Sequence, residues 1–531
     1  MKKFRPLFLS LLSGFLLFAA WPVSSLTAFI FFAFVPLLLL EQTCKNRFIF
    51  LGWTYLTLLI WNIGTTWWTC NSTVPGGIAA IVANSGLMCI PWIGFFNVKK
   101  RMGETLGYIS LIIFWLTFEY IHLNWELSWP WLTLGNVFAT HPGWVQWYAY
   151  TGTGGGSLWV MLLNVLIFQL VREPWEKRWT KELRNKILSI ILFLLVPFFL
   201  SFLLKEQPDK KPDRQAQIKN IVIVQPDIDP WDEKHVAGKE EAQIQKLIHL
   251  SESEIDSRTV LVVWPETAIP VAINEDSMKT SYFMAPVWDF IKSHPAINLL
   301  TGVEGFRFYD ERHRTIYSRK IPDSHIWVDA YNSAVLMDSI HFQVYHKSKL
   351  VPGVETTPSF LHFLDSWFEK FGGTTGGYAK QEDRTPLKAY NGSYNIAPSV
   401  CYESIYGEFM SKYVHNGASI LAVITNDAWW GNTAGYKQLE SYARLRAIET
   451  RRWIVRSANT GISCFIDPFG RVFDPQPWDK ATAIKMDIPA KTDLTFFVEH
   501  GELIFKFAVL ATICLVIWNL FFLIKSKIRR G

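Results

Sequence analysis

The sequence predicts a multi-span α-helical membrane domain, then an α/β domain outside the membrane, and finally one more membrane helix. Half of the 531 residues are hydrophobic and only 18% are charged. Long apolar segments crowd residues 1–204 and recur at 502–524. Between them, short β-branched runs alternate with amphipathic stretches, which is typical of an α/β domain.

The apolar segments are compared with the length that a membrane span needs, which is about 20 residues. The segments near this length are 7–24, 26–42, 48–69, 78–97, 107–123, 157–171, 187–204 and 502–524. Residues 1–204 are therefore expected to form an N-terminal transmembrane domain of about seven helices. The first segment also has the features of a secretory signal, but the spans that follow it closely favour an uncleaved helix.

The basic residues indicate the orientation of these spans. If every span is real, the Lys- and Arg-containing tracts all fall on one side of the membrane. The connections on the other side, 70–77 and 124–156, contain no Lys or Arg. By the positive-inside rule, both termini lie in the cytoplasm and residues 205–501 lie outside. Membrane topology thus accounts for much of the basic charge, and no nucleic-acid partner is expected.

The extracytoplasmic part begins with a polar linker at 205–217 and continues as one domain over 218–495. Apolar runs that lack alternation predict strands buried on both faces. The predicted strands are 218–228, 259–270, 297–306, 331–339, 396–404 and 418–429. Helical spacing of apolar residues predicts helices at 240–255 and 436–455.

An apolar insert interrupts this domain at 357–373, where seven aromatic or leucine side chains share a helical stripe. An ordinary core helix is one interpretation. A lid that dips toward lipid is the other, because the insert lies in a long loop of a membrane-anchored domain.

Three predicted strands are followed by chemically useful groups. Glu266 follows an apolar run in WPETAIP, Lys347 and Lys349 lie in YHKSKLVPGVE, and Cys401 ends an apolar strand in APSVCYES. Taken singly, each has an ordinary structural interpretation, such as a helix cap, a solvated lysine or an inert buried thiol. Together they supply a base, a cation and a nucleophile, which acyl transfer through a thiol requires.

Other site types have less support in the sequence. No C-x-x-C pair, G-x-S-x-G or H-E-x-x-H motif is present. His341 and His346 are five residues apart and do not share a helical face, so no metal site is expected. A disulfide between Cys401 and Cys464 has no supporting pattern.

The order of these motifs, followed by ITNDAWWG at 424–431, resembles the nitrilase, or carbon–nitrogen hydrolase, superfamily. With the multi-span N-terminal half and the final helix, the chain is most similar to its membrane branch, the apolipoprotein N-acyltransferases. The segments FEYIHLNWELSWPWLTLGN and ARLRAIETRRWIVRSANTGIS extend the resemblance over nearly the whole chain. The resemblance implies an αββα sandwich for the extracytoplasmic domain.

The resemblance also assigns roles to residues of this sequence. It implies Glu266 as the base, Lys347 as the lysine and Cys401 as the nucleophile. Supporting residues are Glu355 and Glu403, and aromatic residues near the substrate are Trp231 and Tyr402. One departure is LVPGVE where the family usually has LVPFGE, which leaves the local backbone before Glu355 open.

The activity implied is transfer of an acyl chain from a membrane phospholipid to the N-terminal amine of a diacylglyceryl-cysteine apolipoprotein. The location implied is the bacterial inner membrane, with the catalytic domain in the periplasm. Neither a metal nor a dissociable cofactor is expected. A membrane-anchored amidase that uses water as acceptor would have the same triad, and a non-catalytic transporter or receptor is a more distant alternative.

Overall fold

The computed structural model describes residues 4–173, 180–205, 217–230, 232–234, 236–360, 377–390, 392 and 394–528. The chain divides into two compact units. The first comprises Met1–Trp67, Gly77–Lys205 and His500–Gly531, and the second comprises Trp68–Gly76 and Glu206–Glu499. The insert predicted at 357–373 lies outside the described residues from 361 onward.

The first unit is helical in its described part. Up to residue 205, the helices are α1 (Arg5–Ala20), α2 (Val35–Glu41), α3 (Arg47–Thr66), α4 (Val74–Leu87), α5 (Ile90–Met102), α6 (Glu104–Asn124), α7 (Tyr148–Val171) and α8 (Lys181–Leu204). Six apolar helical stretches of the described residues are long enough to cross a membrane: Arg47–Asn71, Val74–Met102, Glu104–Asn124, Tyr148–Val171, Lys181–Leu204 and Leu503–Phe521. The first two predicted spans coincide with the shorter apolar segments Arg5–Ala20 and Thr27–Glu41.

Helix α8 shows the character expected of a helix in lipid. Large apolar side chains along its length are solvent-exposed in the protein, among them Leu188, Leu192, Phe199 and Phe202. A water-soluble protein rarely leaves so large an apolar surface uncovered. Hydrocarbon is the solvent that such a surface requires, so the pattern supports a membrane helix.

The second unit contains two β-sheets. Its strands are β1 (Gln217–Gln225), β2 (Thr259–Val263), β3 (Ile273–Asn274), β4 (Asn298–Tyr309), β5 (Arg319–Lys320), β6 (Trp327–Met337), β7 (Phe342–His346), β8 (Leu387–Lys388), β9 (Asn395–Val400), β10 (Ile420–Thr425), β11 (Ile454–Ala458), β12 (Cys464–Ile466), β13 (Val472–Phe473) and β14 (Thr482–Ala490). The first sheet has the order β14-β1-β2-β4-β6-β5, with β3 beside β4 and β7 beside β6. The second has the order β13-β12-β11-β10-β9-β8.

Helices cover the outer faces of both sheets. Helices α9 (Glu240–Glu252) and α10 (Ala285–Ser293) share one apolar core with β1, β2 and β4. Helices α11 (Gly407–His415) and α12 (Ala434–Thr450) pack on the second sheet. The sheets meet at β1 and β11, where the Ser457 hydroxyl donates to the Val224 carbonyl at 2.7 Å. The predicted αββα sandwich is confirmed.

Several elements end earlier than the sequence patterns predict. Strands β2, β9 and β10 stop at Val263, Val400 and Thr425, and the polar residues that follow lie on turns or short 3₁₀ helices. The helix predicted at 436–455 ends at Thr450, because the next residue adopts a left-handed conformation and the chain then enters β11. Two helices, α13 (Phe496–His500) and α14 (Leu503–Ile528), complete the described chain.

Candidate active site

Glu266 lies on the turn that follows β2 and is 7% exposed. Its Oε2 accepts a hydrogen bond from the Asn426 backbone N–H at 3.0 Å. Its Oε1 accepts from the Asn332 amide at 2.8 Å and from the Lys347 ammonium at 3.3 Å. The turn packs against Gly302 of β4, where an added Cβ would lie 2.3 Å from the Thr267 nitrogen. The absence of a side chain there lets the base approach the sheet this closely.

Lys347 immediately follows β7 and is 1% exposed. Its ammonium donates to Glu355 Oε1 at 2.8 Å as well as to Glu266. Burial alone would lower the pKa of Lys347, but Glu355, Glu266 and Cys401 raise it well above its usual value. The lysine is therefore a permanent positive charge between two carboxylates. The other candidate, Lys349, instead packs its ammonium over the Tyr406 ring, 4.9 Å from the ring centre.

Glu355 reaches the same cluster in spite of the unusual LVPGVE sequence. A tight turn brings the Glu355 backbone N–H to the Val351 carbonyl at 2.9 Å, with Gly353 at a φ of +80°. In return, the Val351 N–H donates to Glu355 Oε2 at 2.8 Å. The glycine supplies the backbone conformation that this turn needs. The departure from the family pattern thus leaves the Glu355 carboxylate on Lys347.

Cys401 follows β9 at the start of a 3₁₀ helix, Cys401–Ile405. Its φ is +51°, a left-handed conformation that is uncommon for a residue with a side chain. The residue is 8% exposed, and burial raises the pKa of its thiol. Glu266 raises this pKa further, whereas Lys347 lowers it. The resting thiol is therefore protonated and needs a base before it can attack a carbonyl.

Glu403 and Tyr402 are also buried beside the thiol. Glu403 accepts from the Tyr345 hydroxyl at 2.7 Å. Backbone N–H groups supply three more hydrogen bonds, from Ser348 at 2.6 Å, Lys349 at 3.1 Å and Val400 at 2.8 Å. Burial raises the pKa of Glu403, against the effect of these donors. Two of these N–H groups directly follow Lys347 and the third directly precedes Cys401. The Glu403 carboxylate therefore links the turn at Lys347 to the turn at Cys401.

Tyr402 packs its ring edge-on against Tyr406, with the ring centres 5.4 Å apart. Trp231, the other predicted aromatic residue, lies outside the described residues. Among the described residues, no group of His, Cys, Asp and Glu has the arrangement of a metal site. His346 instead contacts the Glu275 carboxylate, 2.9 Å from its Oε2.

Three contributors were not predicted from the sequence. The Asn332 amide bridges Glu266 and Glu355, and it lies 3.1 Å from Glu355 Oε1. The Asn426 backbone N–H holds Glu266, as described above. Lys234 is buried and donates to the Thr267 hydroxyl. Burial lowers the pKa of Lys234 to about 8, which the nearby Glu266 and Glu304 partly oppose. In PWDEKH this lysine has the pattern of a solvated residue, so no sequence signal marks it.

Comparisons with known proteins identify the family of this chain. Residues 220–493 match the carbon–nitrogen hydrolase family model, and residues 13–166 match the apolipoprotein N-acyltransferase N-terminal domain. The apolipoprotein N-acyltransferase of Chlorobaculum tepidum is 30% identical over 518 residues, covering 94% of each chain. That of Thermotoga maritima is 26% identical and covers 96% of this chain and 92% of its own.

A search of solved structures finds nitrilase-superfamily proteins. One is Saccharomyces cerevisiae Nit3, a member of branch 10 of the nitrilase superfamily, at 14% identity and a TM-score of 0.36. The match covers 51% of this chain and 90% of Nit3. The two family models and the full-length relatives decide the assignment: this chain is an enzyme of the apolipoprotein N-acyltransferase family.

Proposed function

We propose that this enzyme takes an acyl chain from a membrane phospholipid onto Cys401 and passes it to the N-terminal amine of a diacylglyceryl-cysteine lipoprotein. The observation that carries the proposal is the buried set of a protonated thiol, a carboxylate and a permanent ammonium. These groups electrostatically influence one another within a chain that also has several apolar helices. The family's lipoprotein acceptor and membrane context agree with this chemistry.

In the first half-reaction, Glu266 accepts the proton of the Cys401 thiol as the sulfur attacks the ester carbonyl of the phospholipid. The negative charge that develops on the carbonyl oxygen is stabilised by the Lys347 ammonium and a backbone N–H near Tyr402. Collapse of this intermediate breaks the carbon–oxygen bond of the ester. The lysophospholipid alcohol leaves with the proton that Glu266 held, and the acyl group remains as a thioester.

In the second half-reaction, the α-amine of the lipoprotein attacks the thioester carbonyl. Glu266 accepts a proton from the amine, the carbon–sulfur bond breaks, and Glu266 returns this proton to the Cys401 sulfur. The products are an N-acyl amide and the free enzyme. Glu355 and Glu403 support these steps by holding Lys347 and the turns at Lys347 and Cys401, and Trp231 and Tyr402 contact the substrates.

The enzyme is proposed to lie in the bacterial inner membrane with its catalytic domain, 218–495, in the periplasm. Residues 1–204 and 502–524 anchor it, and 205–217 link the two parts. The one-sided distribution of Lys and Arg supports cytoplasmic termini. The apolar insert at 357–373 is proposed as a lid-like segment toward lipid, because its sequence places aromatic and leucine residues on one helical stripe in a long loop of a membrane-anchored domain.

The acceptor is tested with vesicles of phosphatidylethanolamine that carries an isotope-labelled acyl chain. The purified protein receives a diacylglyceryl-cysteinyl peptide with a free α-amine, and the matched control is the same peptide with an acetylated amine. We expect a labelled amide on the free peptide alone, and none with Cys401→Ala. Release of labelled fatty acid at a rate independent of the peptide would identify water as the acceptor and overturn the proposal. Absence of any label transfer by folded protein would overturn the phospholipid donor.

A further inference from the structure

The connection between α3 and α4 belongs to the catalytic unit rather than to the helical unit. Residues Trp68–Gly76 cluster with Glu206–Glu499, although both flanking helices are apolar and long. Within this connection, Trp68 is fully buried. The connection thus packs into the fold that carries the candidate active site, against residues more than 300 positions later in the sequence.

The partner of this connection is the turn after β10, residues 426–433, here called the β10–α12 turn. The rings of Trp68 and Trp430 lie 4.8 Å apart. The Asn71 side-chain amide donates to the Trp430 carbonyl at 2.8 Å, and the Ser72 hydroxyl donates to the Trp429 carbonyl at a longer 3.4 Å. These contacts fix both the backbone and a side chain of the turn.

Two glycines, Gly431 and Gly435, lie where the turn contacts the α3–α4 connection. Gly435, at the start of α12, faces Trp68 so closely that an added Cβ would lie 2.7 Å from its ring. Gly431 adopts a φ of +63°, and its Cβ position is 3.5 Å from the Asn71 amide nitrogen. The missing side chain of Gly435 therefore makes room for the Trp68 ring, whereas Gly431 supplies the positive φ of the turn.

The same turn begins with the group that holds the proposed base. The Asn426 N–H donates to Glu266 Oε2 at 3.0 Å. The next residue, Asp427, anchors the turn internally through Arg456 at 2.8 Å. The turn thus has one anchor in the second sheet and a second anchor in the α3–α4 connection, with the Glu266 contact at its start.

We propose that Trp68 and Asn71 are positioning residues that act through the β10–α12 turn on Glu266. The inference rests on the proposed function, because it takes Glu266 as the proton acceptor for Cys401. Trp68 and Asn71 touch neither the thiol nor the acyl chain in this role. They keep the Asn426 N–H bonded to the Glu266 carboxylate. This bond holds the carboxylate in the orientation in which it accepts the proton of the Cys401 thiol.

The test measures thioester formation on Cys401 in a single turnover, with labelled phosphatidylethanolamine and the full-length protein. Three quantities are read: the rate constant at saturating donor, the amplitude of the adduct, and the donor concentration that gives half the maximal rate. The variants are Trp68→Leu, Trp68→Phe and Asn71→Asp, which keeps the shape of the side chain but cannot donate to a carbonyl. The matched control is Asn416→Asp, which loses a bond of equal length to the Arg384 carbonyl, outside the turn.

We expect Trp68→Leu to lower the rate constant about 10- to 100-fold, as a misplaced catalytic group does. Asn71→Asp should lower it about fivefold, the effect of one hydrogen bond, and Trp68→Phe should recover most of the loss. Adduct amplitude, half-saturating donor concentration and the control should stay at wild-type values. Wild-type rate constants in Trp68→Leu and Asn71→Asp would overturn the inference, and so would a loss of adduct amplitude without a change in rate constant. Failure of the wild-type protein to form any adduct would instead overturn the proposed function.

Discussion

Glu266 and Glu403 are both buried carboxylates beside Cys401, but they are held in different ways. Glu266 shares the Lys347 ammonium with Glu355. Glu403 accepts four hydrogen bonds from neutral groups, three of them backbone N–H groups. Glu266 accepts one bond from a backbone N–H and otherwise lies against side-chain donors, among them the Lys347 ammonium. Glu403 accepts three bonds from backbone N–H groups and so joins the turns at Lys347 and Cys401. The same side chain in similarly buried surroundings is thus suited to chemistry in one case and to support in the other.

The strongest test of this difference is Glu266→Gln. The amide keeps the shape of the side chain but does not accept a proton at neutral pH, so thioester formation should fall by about 10² to 10⁴-fold. The thermal midpoint should also fall, because the NH₂ end of the amide faces a donor on either side and leaves it unsatisfied at a cost of about 1–3 kcal/mol. The rate is therefore the quantity that tests the role of base. Single-turnover mass spectrometry and thermal unfolding in detergent measure the two quantities. A rate within a few-fold of wild type would remove Glu266 from the role of base.

The complementary substitution is Glu403→Gln, which should act mainly on stability. One end of the amide is an NH₂ group, which faces a backbone donor and leaves it unsatisfied at a cost of about 1–3 kcal/mol. The thermal midpoint should therefore fall clearly, while the rate of the protein that remains folded falls much less than in Glu266→Gln. An unchanged midpoint together with a rate loss as large as that of Glu266→Gln would abolish the distinction.

Lys234 is a second ammonium near Glu266, and it donates one described hydrogen bond, to the Thr267 hydroxyl. Its pKa of about 8 in the folded protein is below that of an unfolded lysine, so folding at pH 7 carries an electrostatic cost. Lys234→Met should raise the free energy of unfolding at pH 7 by about 2 kcal/mol, after the lost hydrogen bond is counted.

The sign of the pH dependence separates this effect from packing. As the pH rises through about 8, the folded wild type loses the proton of Lys234 before the unfolded chain does, so the wild type gains stability. The difference in thermal midpoint between Lys234→Met and wild type should therefore shrink between pH 7 and pH 10. A difference that is independent of pH would show that the charge of Lys234 is not its cause.

The smallest expected effect belongs to Asn332, which donates to both carboxylates on Lys347. Asn332→Ala should slow thioester formation about tenfold through loss of this bridge. The matched control is Asn298→Ala, which removes a buried amide that donates to the Val260 carbonyl at 3.3 Å. Equal rate losses in both variants would indicate general damage to the first sheet rather than a role at the site.

The sequence carries the strand cores and the chemistry-bearing residues that directly follow them. Runs such as VLVV and ILAVI predict buried strands, because the signal lies entirely within a few consecutive apolar residues. The orientation of Asn332 depends on the antiparallel register of β4, β6 and β7, which joins distant segments. Burial of Lys234 likewise depends on tertiary packing, which the polar segment PWDEKH does not indicate. The packing of Trp68 on Trp430 joins residues far apart in the chain, so a local pattern does not reveal it.

In the proposed reaction Cys401 carries the acyl group as a thioester, and intact mass spectrometry detects this adduct. Protein incubated with labelled phosphatidylethanolamine should gain the mass of one acyl chain, and hydroxylamine should remove it. Cys464→Ala, which lacks another fully buried thiol, should still form the adduct, whereas Cys401→Ala should not. An adduct that persists in Cys401→Ala, or one that resists hydroxylamine, would contradict a thioester at this residue.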